Sequence, residues 1–355
     1  MQGSLKIQQT QYSKGTISIS LVHQALSAAH EKGIDTTQVL EKVGISAELL
    51  ASPKARISVS SFGQFWIELS NHLNDEFFAM DSHPMRRGSY QLISELVIHS
   101  HNLKHAIEHI LKFFNAILDD LKSQLFVQEN YAYIVINDLK NTKTMFSYAT
   151  YMMLIHSLIC WLTGQRISLK QIQLKCPAPD DDSDYKVRFC EEIKYDCDEN
   201  YLQFDANCLN IPIKQNHASW KQFIQQTPNN LLVRFKNPNS IANMIRKQLM
   251  QLHPSEWVEV HDLAQQLNLS EATFQRRLKA EGVSYQQLKN EIRRDTAIEL
   301  LSKTSQSLQD ISDELNFHDP SAFHRAFKKW TGVSPGAYRH SINQETDQSP
   351  TISSN

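Results

Sequence analysis

Apolar residues recur every three to four positions over residues 18–32, 35–43, 58–73, 102–122 and 144–163, which predicts amphipathic or buried helices there. Residues 58–73 show it most clearly, with Phe62, Phe65, Trp66, Leu69 and Leu73 on one side of the turn. Between and after these lie shorter patches with strand character: SQLFVQEN, YAYIVIND, ISLKQIQLKC and NYLQFDA. The first two are separated by Glu129-Asn130 and predict a hairpin. Aliphatic strands flanked by longer helices imply an α+β domain over residues 1–226.

The pattern breaks at TPNNLLVRFKNPNS, residues 227–240. Two prolines and four asparagines there predict a linker. Ser240 offers a helix N-cap to IANMIRKQLMQL, and helical periodicity then dominates residues 241–340, an all-α domain. Residues 341–355 have no apolar period and predict a disordered tail.

Within the second domain the polar and apolar pattern occurs twice. DLAQQLNLSEATFQRRLKAEGVS, from Asp262, and DISDELNFHDPSAFHRAFKKWTGVS, from Asp310, each give a short helix, a polar break and a second helix. Core positions in the second helices are Phe274 and Leu278, and Phe323 and Phe327. Both copies end in Gly-Val-Ser, with Gly282 and Gly332 placed as left-handed C-caps. This is the helix-turn-helix pattern. The joining stretch, residues 285–303, holds Leu288, Ile292, Ala297, Leu300 and Leu301 near one face and has no internal Gly or Pro. As a helix it spans roughly 28 Å, close to the ~34 Å of one duplex turn.

If the paired apolar positions face inward, the outward set follows. In the first unit it is Ala272, Gln275, Arg276 and Lys279; in the second it is Ser321, Ala322, Arg325 and Lys328. Arg matches guanine O6/N7, Gln matches adenine N6/N7, and Ala and Ser fit small edges or a thymine methyl. Arg277, His324, Lys328 and Lys329 lie at the flanks, where phosphate contacts are expected.

Charge adds little. Residues 240–340 carry 13 Lys and Arg against 12 Asp and Glu, so any DNA affinity must come from where the charges sit. Composition, with 41% hydrophobic and 21% charged residues, is ordinary for a globular chain. No run of about 18 apolar residues predicts a membrane span, and the N-terminus lacks a signal-peptide core. Five cysteines (160, 176, 190, 197, 208) without a CxxC pair predict reduced thiols and a cytoplasmic location, with Cys160 and Cys190 as packing residues.

Residues 293–339 strongly resemble the AraC/XylS-type family of bacterial transcription regulators. The match runs through Arg293, Ala297, Leu300, Leu301, Ile311, Phe317, Phe323, Phe327, Gly332, Pro335, Tyr338 and Arg339. Where the family commonly has Ile-Ala and Gly-Phe, this chain has Ile311-Ser312 and Asn316-Phe317; Asn316 can take the left-handed conformation Gly would take. GIDTTQVLEKVGISAELLASPKARIS and CPAPDDDSDYKVRFCEEIKYDCDENYLQFDANCLNIPI resemble the arabinose-binding-like effector and dimerisation domain of one branch of that family. The resemblance implies a homodimer on paired sites in double-stranded DNA, a small-molecule effector, contacts to RNA polymerase and an activator's role. Phe62, Phe65, Trp66 and Phe113 are candidates to line the effector pocket.

His101, His105 and His109, with His99 before them, could pair on zinc or nickel, but no cysteine lies near and Glu108 is the only local carboxylate. They read as a histidine-rich helix surface, with no metal expected. DDDSD, residues 180–184, lacks the ligand alternation and glycine of an EF-hand and reads as a helix N-terminus or loop. No nucleophile motif, catalytic residue or cofactor motif occurs, so no enzyme is expected. The alternative is a metal sensor or small-molecule enzyme whose helical C-terminus binds protein.

Overall fold

The computed structural model describes residues 15–232, 241–280 and 283–343. Its N-terminal part opens with β1 (Thr16–Ser18), α1 (Ile19–Glu31), α2 (Thr37–Lys42), α3 (Ala47–Ala51), β2 (Arg56–Ser58) and α4 (Val59–Leu73). Ser18, Ser46 and Ser58 cap α1, α3 and α4 by accepting backbone N–H groups, so each helix starts where a hydroxyl can satisfy its first donors. α5 (Ser89–Val97) and α6 (Leu103–Ile117) follow, then β3 (Leu121–Gln128), β4 (Tyr131–Asp138), α7 (Met145–Thr163), β5 (Leu169–Gln173), α8 (Ser183–Arg188), β6 (Ile193–Lys194), β7 (Asn200–Asp205), α9 (His217–Gln226) and α10 (Asn229–Leu232).

The sheet runs β3-β4-β7-β5-β6, antiparallel except for the β5–β6 pair. β1 and β2 form a separate antiparallel ribbon. The β3–β4 hairpin turns at Glu129, which sits at φ 51°. α7 is the centre of the domain: every residue from Met145 to Thr163 except Trp161 is buried. By length and composition it is the one described helix apolar enough to cross a membrane, and 94% of that span is buried inside the fold. Its Ser, Thr, Tyr and His residues interrupt the apolar run, which is why no uninterrupted apolar stretch of about 18 residues shows in the sequence.

α6 ends at Ile117, five residues short of the end of the helix predicted over 102–122. Leu118 turns to extended backbone, and Asp119 and Asp120 donate their backbone N–H groups to Asp81, which starts β3 at Leu121. α10 falls inside the stretch read as linker; residues 233–240, with Ser240, lie outside the described residues, as do Gly282 and residues 344–355.

The C-terminal part contains α11 (Ile241–Leu249), α12 (Val260–Gln266), α13 (Glu271–Ala280), α14 (Tyr285–Lys303), α15 (Leu308–Glu314), α16 (Pro320–Thr331) and α17 (Pro335–Asn343). It is helical as expected, but its core is not one body. Leu263, Phe274, Leu278, Tyr285, Leu288 and Ile292 form one apolar cluster. Ala297, Leu301, Ile311, Phe323, Phe327 and Tyr338 join the large cluster of the N-terminal domain.

Candidate nucleic-acid interface

Each of the two units is a short helix, a turn and a longer helix: α12–α13 and α15–α16. Both turns are set by an asparagine in the left-handed region, Asn268 at φ 54° and Asn316 at φ 56°. Asparagine tolerates that conformation because its short polar side chain bonds locally, so it does the work of glycine here. Asp319 caps α16 by accepting from the Ala322 N–H at 2.7 Å, with Pro320 in the first turn. Ser270 plays the same part for α13.

Phe274, Leu278, Phe323 and Phe327 are all buried. On the opposite sides, Ala272, Gln275, Arg276, Arg277 and Lys279 of α13 are exposed, as are Ser321, His324, Arg325, Lys328 and Lys329 of α16; Ala322 is half-buried. Gln275 donates to Glu271 Oε1 at 2.9 Å, one turn back along the same face.

α14 connects the units over residues 285–303 and buries different sides at its two ends. Tyr285, Leu288 and Ile292 pack into the first unit, whereas Ala297, Ile298 and Leu301 pack into the second. At ~100° per residue these stripes point in roughly opposite directions. The single apolar face expected from sequence is therefore two half-faces. Arg293 lies between them, its guanidinium 5.0 Å from the Trp257 ring of the first unit and 5.7 Å from the Phe317 ring of the second. Its Nε donates to the Leu315 carbonyl at 3.1 Å. Burial lowers the Arg293 pKa.

The second unit is built onto the N-terminal domain. Ser52 Oγ donates to the Thr331 carbonyl at 3.1 Å, and Tyr338 Oη donates to the Arg56 carbonyl at 3.1 Å. Thr16 Oγ1 donates to Asp295 Oδ1 at 2.7 Å, where Arg294 also binds. Arg56 donates to Thr16 and, at 2.7 Å, to Asp184 Oδ1. Residues 180–184, read from sequence as a helix N-terminus or loop, do lead into α8, with Asp184 in its first turn, and the Asp184 carboxylate also belongs to the junction. Nothing local marks Thr16, Arg56, Asp184 or Asp295, because the Thr16–Asp295 pair is separated by 279 residues.

Beside this junction lies a cavity of about 80 Å³. Phe62 and Trp66 line it together with Thr16, Asp184, Arg188 and Leu232 at the end of α10. Of the other aromatic candidates, Phe65 packs behind Phe62 with ring centroids 5.7 Å apart, and Phe113 packs on Phe114 at 5.8 Å; neither is on the wall. The rings of His101 and His105 stand 5.9 Å apart, and no group of three or more metal-ligating side chains occurs among the described residues.

Comparison with known proteins matches residues 33–213 to the arabinose-binding domain of AraC transcription regulators, N-terminal, and residues 263–341 to a helix-turn-helix domain. The ornithine utilization regulator of Pseudomonas aeruginosa is 22% identical over 91% of this chain and 96% of its own. The HTH-type transcriptional regulator VqsM of the same organism is 34% identical over 25% of this chain and 28% of its own. The crystal structure of the transcriptional regulator CdpR, also from Pseudomonas aeruginosa, aligns over 93% of this chain and 99% of that one, at 16% identity and a TM-score of 0.30.

Proposed function

The chain belongs to the AraC family of DNA-binding transcription regulators, and on that premise we propose that it is an effector-responsive activator reading two adjacent major-groove segments. The observation that carries this reading is the pair of exposed polar and basic faces, on α13 and α16, fixed at the two ends of α14. α14 spans roughly 28 Å from its 19 residues, which suits two recognition helices about one duplex turn apart. Arg276 and Arg325 reach guanine edges, Gln275 an adenine edge, and Ala272, Ser321 and Ala322 the small contacts; Arg277, Lys279, His324, Lys328 and Lys329 hold phosphates.

Effector response enters through the cavity at the junction. Thr16 lines it and also binds Asp295 on α14, so an occupant that shifts Thr16 favours one placement of the second unit over another. The protein acts in the cytoplasm as a homodimer on paired sites and engages RNA polymerase when bound.

The test is the charge reversal Arg325→Glu, read as affinity for the chain's own upstream DNA. Loss of a guanine-reading Arg costs about 1–3 kcal/mol, so affinity falls by about fivefold to a hundredfold or more while circular dichroism is unchanged. Undiminished binding refutes the placement of the second recognition helix.

A further inference from the structure

The two edges of the five-stranded sheet end differently. β6 is an edge of two residues, Ile193 and Lys194, beside the exposed Glu192, and so short and charged an end offers little to another strand. β3 is the opposite edge and runs eight residues, paired with β4 in unbroken register from Leu121↔Asp138 to Gln128↔Tyr131. Its stretch SQLFVQ, residues 123–128, holds no proline, no charge and no bulge, the usual devices that keep an edge strand solitary. Phe126 is 52% and Val127 45% exposed, and the Phe126 ring lies 6.5 Å from that of Tyr133 on the outer face of the sheet.

The backbone shows which groups face the open side. Asp120 accepts the Leu139 N–H, so even-numbered residues of β3 bond to β4 and odd-numbered ones point away. Ser123 is closed off by α6: its N–H donates to Asn115 Oδ1 at 2.7 Å and its carbonyl accepts from Asn115 Nδ2 at 2.8 Å. Leu125 and Val127 come next, and among the described residues nothing bonds their N–H or C=O groups on that side. Two residues with both backbone groups open, on a strand with exposed apolar side chains, make a site for another strand.

The strand's own sequence identifies the occupant. Paired antiparallel with a second copy about Phe126, it sets Leu125 against Val127, Gln124 against Gln128 and Phe126 against Phe126. Apolar meets apolar and amide meets amide on each rung, whereas a slip of two residues sets Phe126 against Gln124 or Gln128. Charge agrees. Lys122 and Glu129 bracket the segment, so antiparallel self-pairing brings the Lys122 end of each copy to the Glu129 end of the other, and parallel pairing opposes like charges.

We infer that β3 is a dimer interface, at which two copies join edge to edge about a two-fold axis at Phe126 and their sheets become one. The N–H of Leu125 bonds to the Val127 carbonyl of the partner subunit and that of Val127 to the Leu125 carbonyl, each bond made twice by symmetry. The two Phe126 side chains form a non-hydrogen-bonded pair with Cα atoms about 4.5 Å apart. This rests on the homodimer reading above and gives that dimer its surface.

Sedimentation equilibrium on the full-length protein tests it, and the unmodified chain is expected to run as a dimer. Val127→Pro removes a donor that β4 does not use, so the hairpin stands while the dimer dissociation constant rises about fivefold or more. Phe126→Lys and Phe126→Glu each oppose like charges across the axis and run as monomers, with circular dichroism unchanged. Mixed in equal amounts, the two variants associate with each other, because a residue that meets its own copy turns self-repulsion into attraction. Monomeric unmodified protein overturns the homodimer reading and the interface together. Dimers undiminished by Val127→Pro or by either Phe126 variant, or a mixture no more associated than its parts, overturn the interface and leave the homodimer reading standing.

Discussion

The carboxylate of Asp120 shows how much of this protein's residue-scale chemistry is decided outside its own segment. It is buried, and burial alone raises a carboxyl pKa. Hydrogen bonds from Lys143 at 2.7 Å, from Ser82 Oγ at 2.8 Å and from Lys140 outweigh that and hold it well below the usual carboxylate range. A group depressed in the folded state stabilises it fully above the unfolded pKa of 3.8 and loses that contribution as pH falls through its folded value. Asp120→Asn, which leaves the Lys143 ammonium buried without its counter-charge, therefore lowers the melting temperature at pH 7, by about 3–5 kcal/mol of stability. The deficit against the unmodified chain narrows below pH 4. A deficit constant from pH 7 to pH 3, followed by thermal denaturation, argues against the ionic account. The inward Phe274, Leu278, Phe323 and Phe327 were legible because four-residue spacing fixes a helix face within one segment. Asp120, Asp184 and Arg188 were not, since no local period marks which acid or base a distant strand will cover.

Among the elements, α14 was legible in extent but not in packing. Its ends at 285 and 303 follow from Ser284, whose hydroxyl accepts the Gln287 N–H, and from the lack of any internal breaker. Its apolar residues were expected on one face, yet each half serves a different unit, and a one-dimensional pattern does not say which partner each stripe meets. Strands β4 and β7 were equally legible from alternation, whereas α3, α5 and α8, of five, nine and six residues, are too short to show a period. The change of face in α14 makes Arg293 the link between units, held by two rings and the Leu315 carbonyl. Arg293→Met keeps the stem and removes the cation, a loss of about 0.5–2 kcal/mol for a cation–π pair. Paired-site DNA affinity is expected to fall roughly threefold to thirtyfold, because two reading heads gain from being held in register. Binding to DNA carrying one unit's segment alone stays unchanged in a gel-shift titration. Equal losses on both DNAs place the effect inside one unit and refute the linking role.

At the scale of the whole molecule, composition and the seam at 227–240 suggested two bodies divided by a linker, whereas the apolar clusters divide the chain inside α14. The second unit shares a core with the N-terminal sheet and α7; the first unit stands on its own cluster. Sequence distance hid this, since β2 and α17 meet only after the chain has run through the first unit. Gly332 shows how close the contact is: at φ 80° it ends α16, and a Cβ there would lie 2.2 Å from Ser52 Oγ. A shared core unfolds as one unit where its contacts are strong enough, so cooperativity tests the division. Leu278 and Leu301 are both fully buried, in the first and the shared cluster respectively. Truncating either to Ala costs about 2–5 kcal/mol. In differential scanning calorimetry, Leu278→Ala is expected to lower a smaller transition and spare the larger one. Leu301→Ala lowers the larger transition, and with it speeds amide exchange in α7, more than 130 residues away in sequence. If Leu301→Ala leaves α7 exchange unaltered, the second unit is merely docked, and the junction at Thr16 and Asp295 transmits nothing through the core.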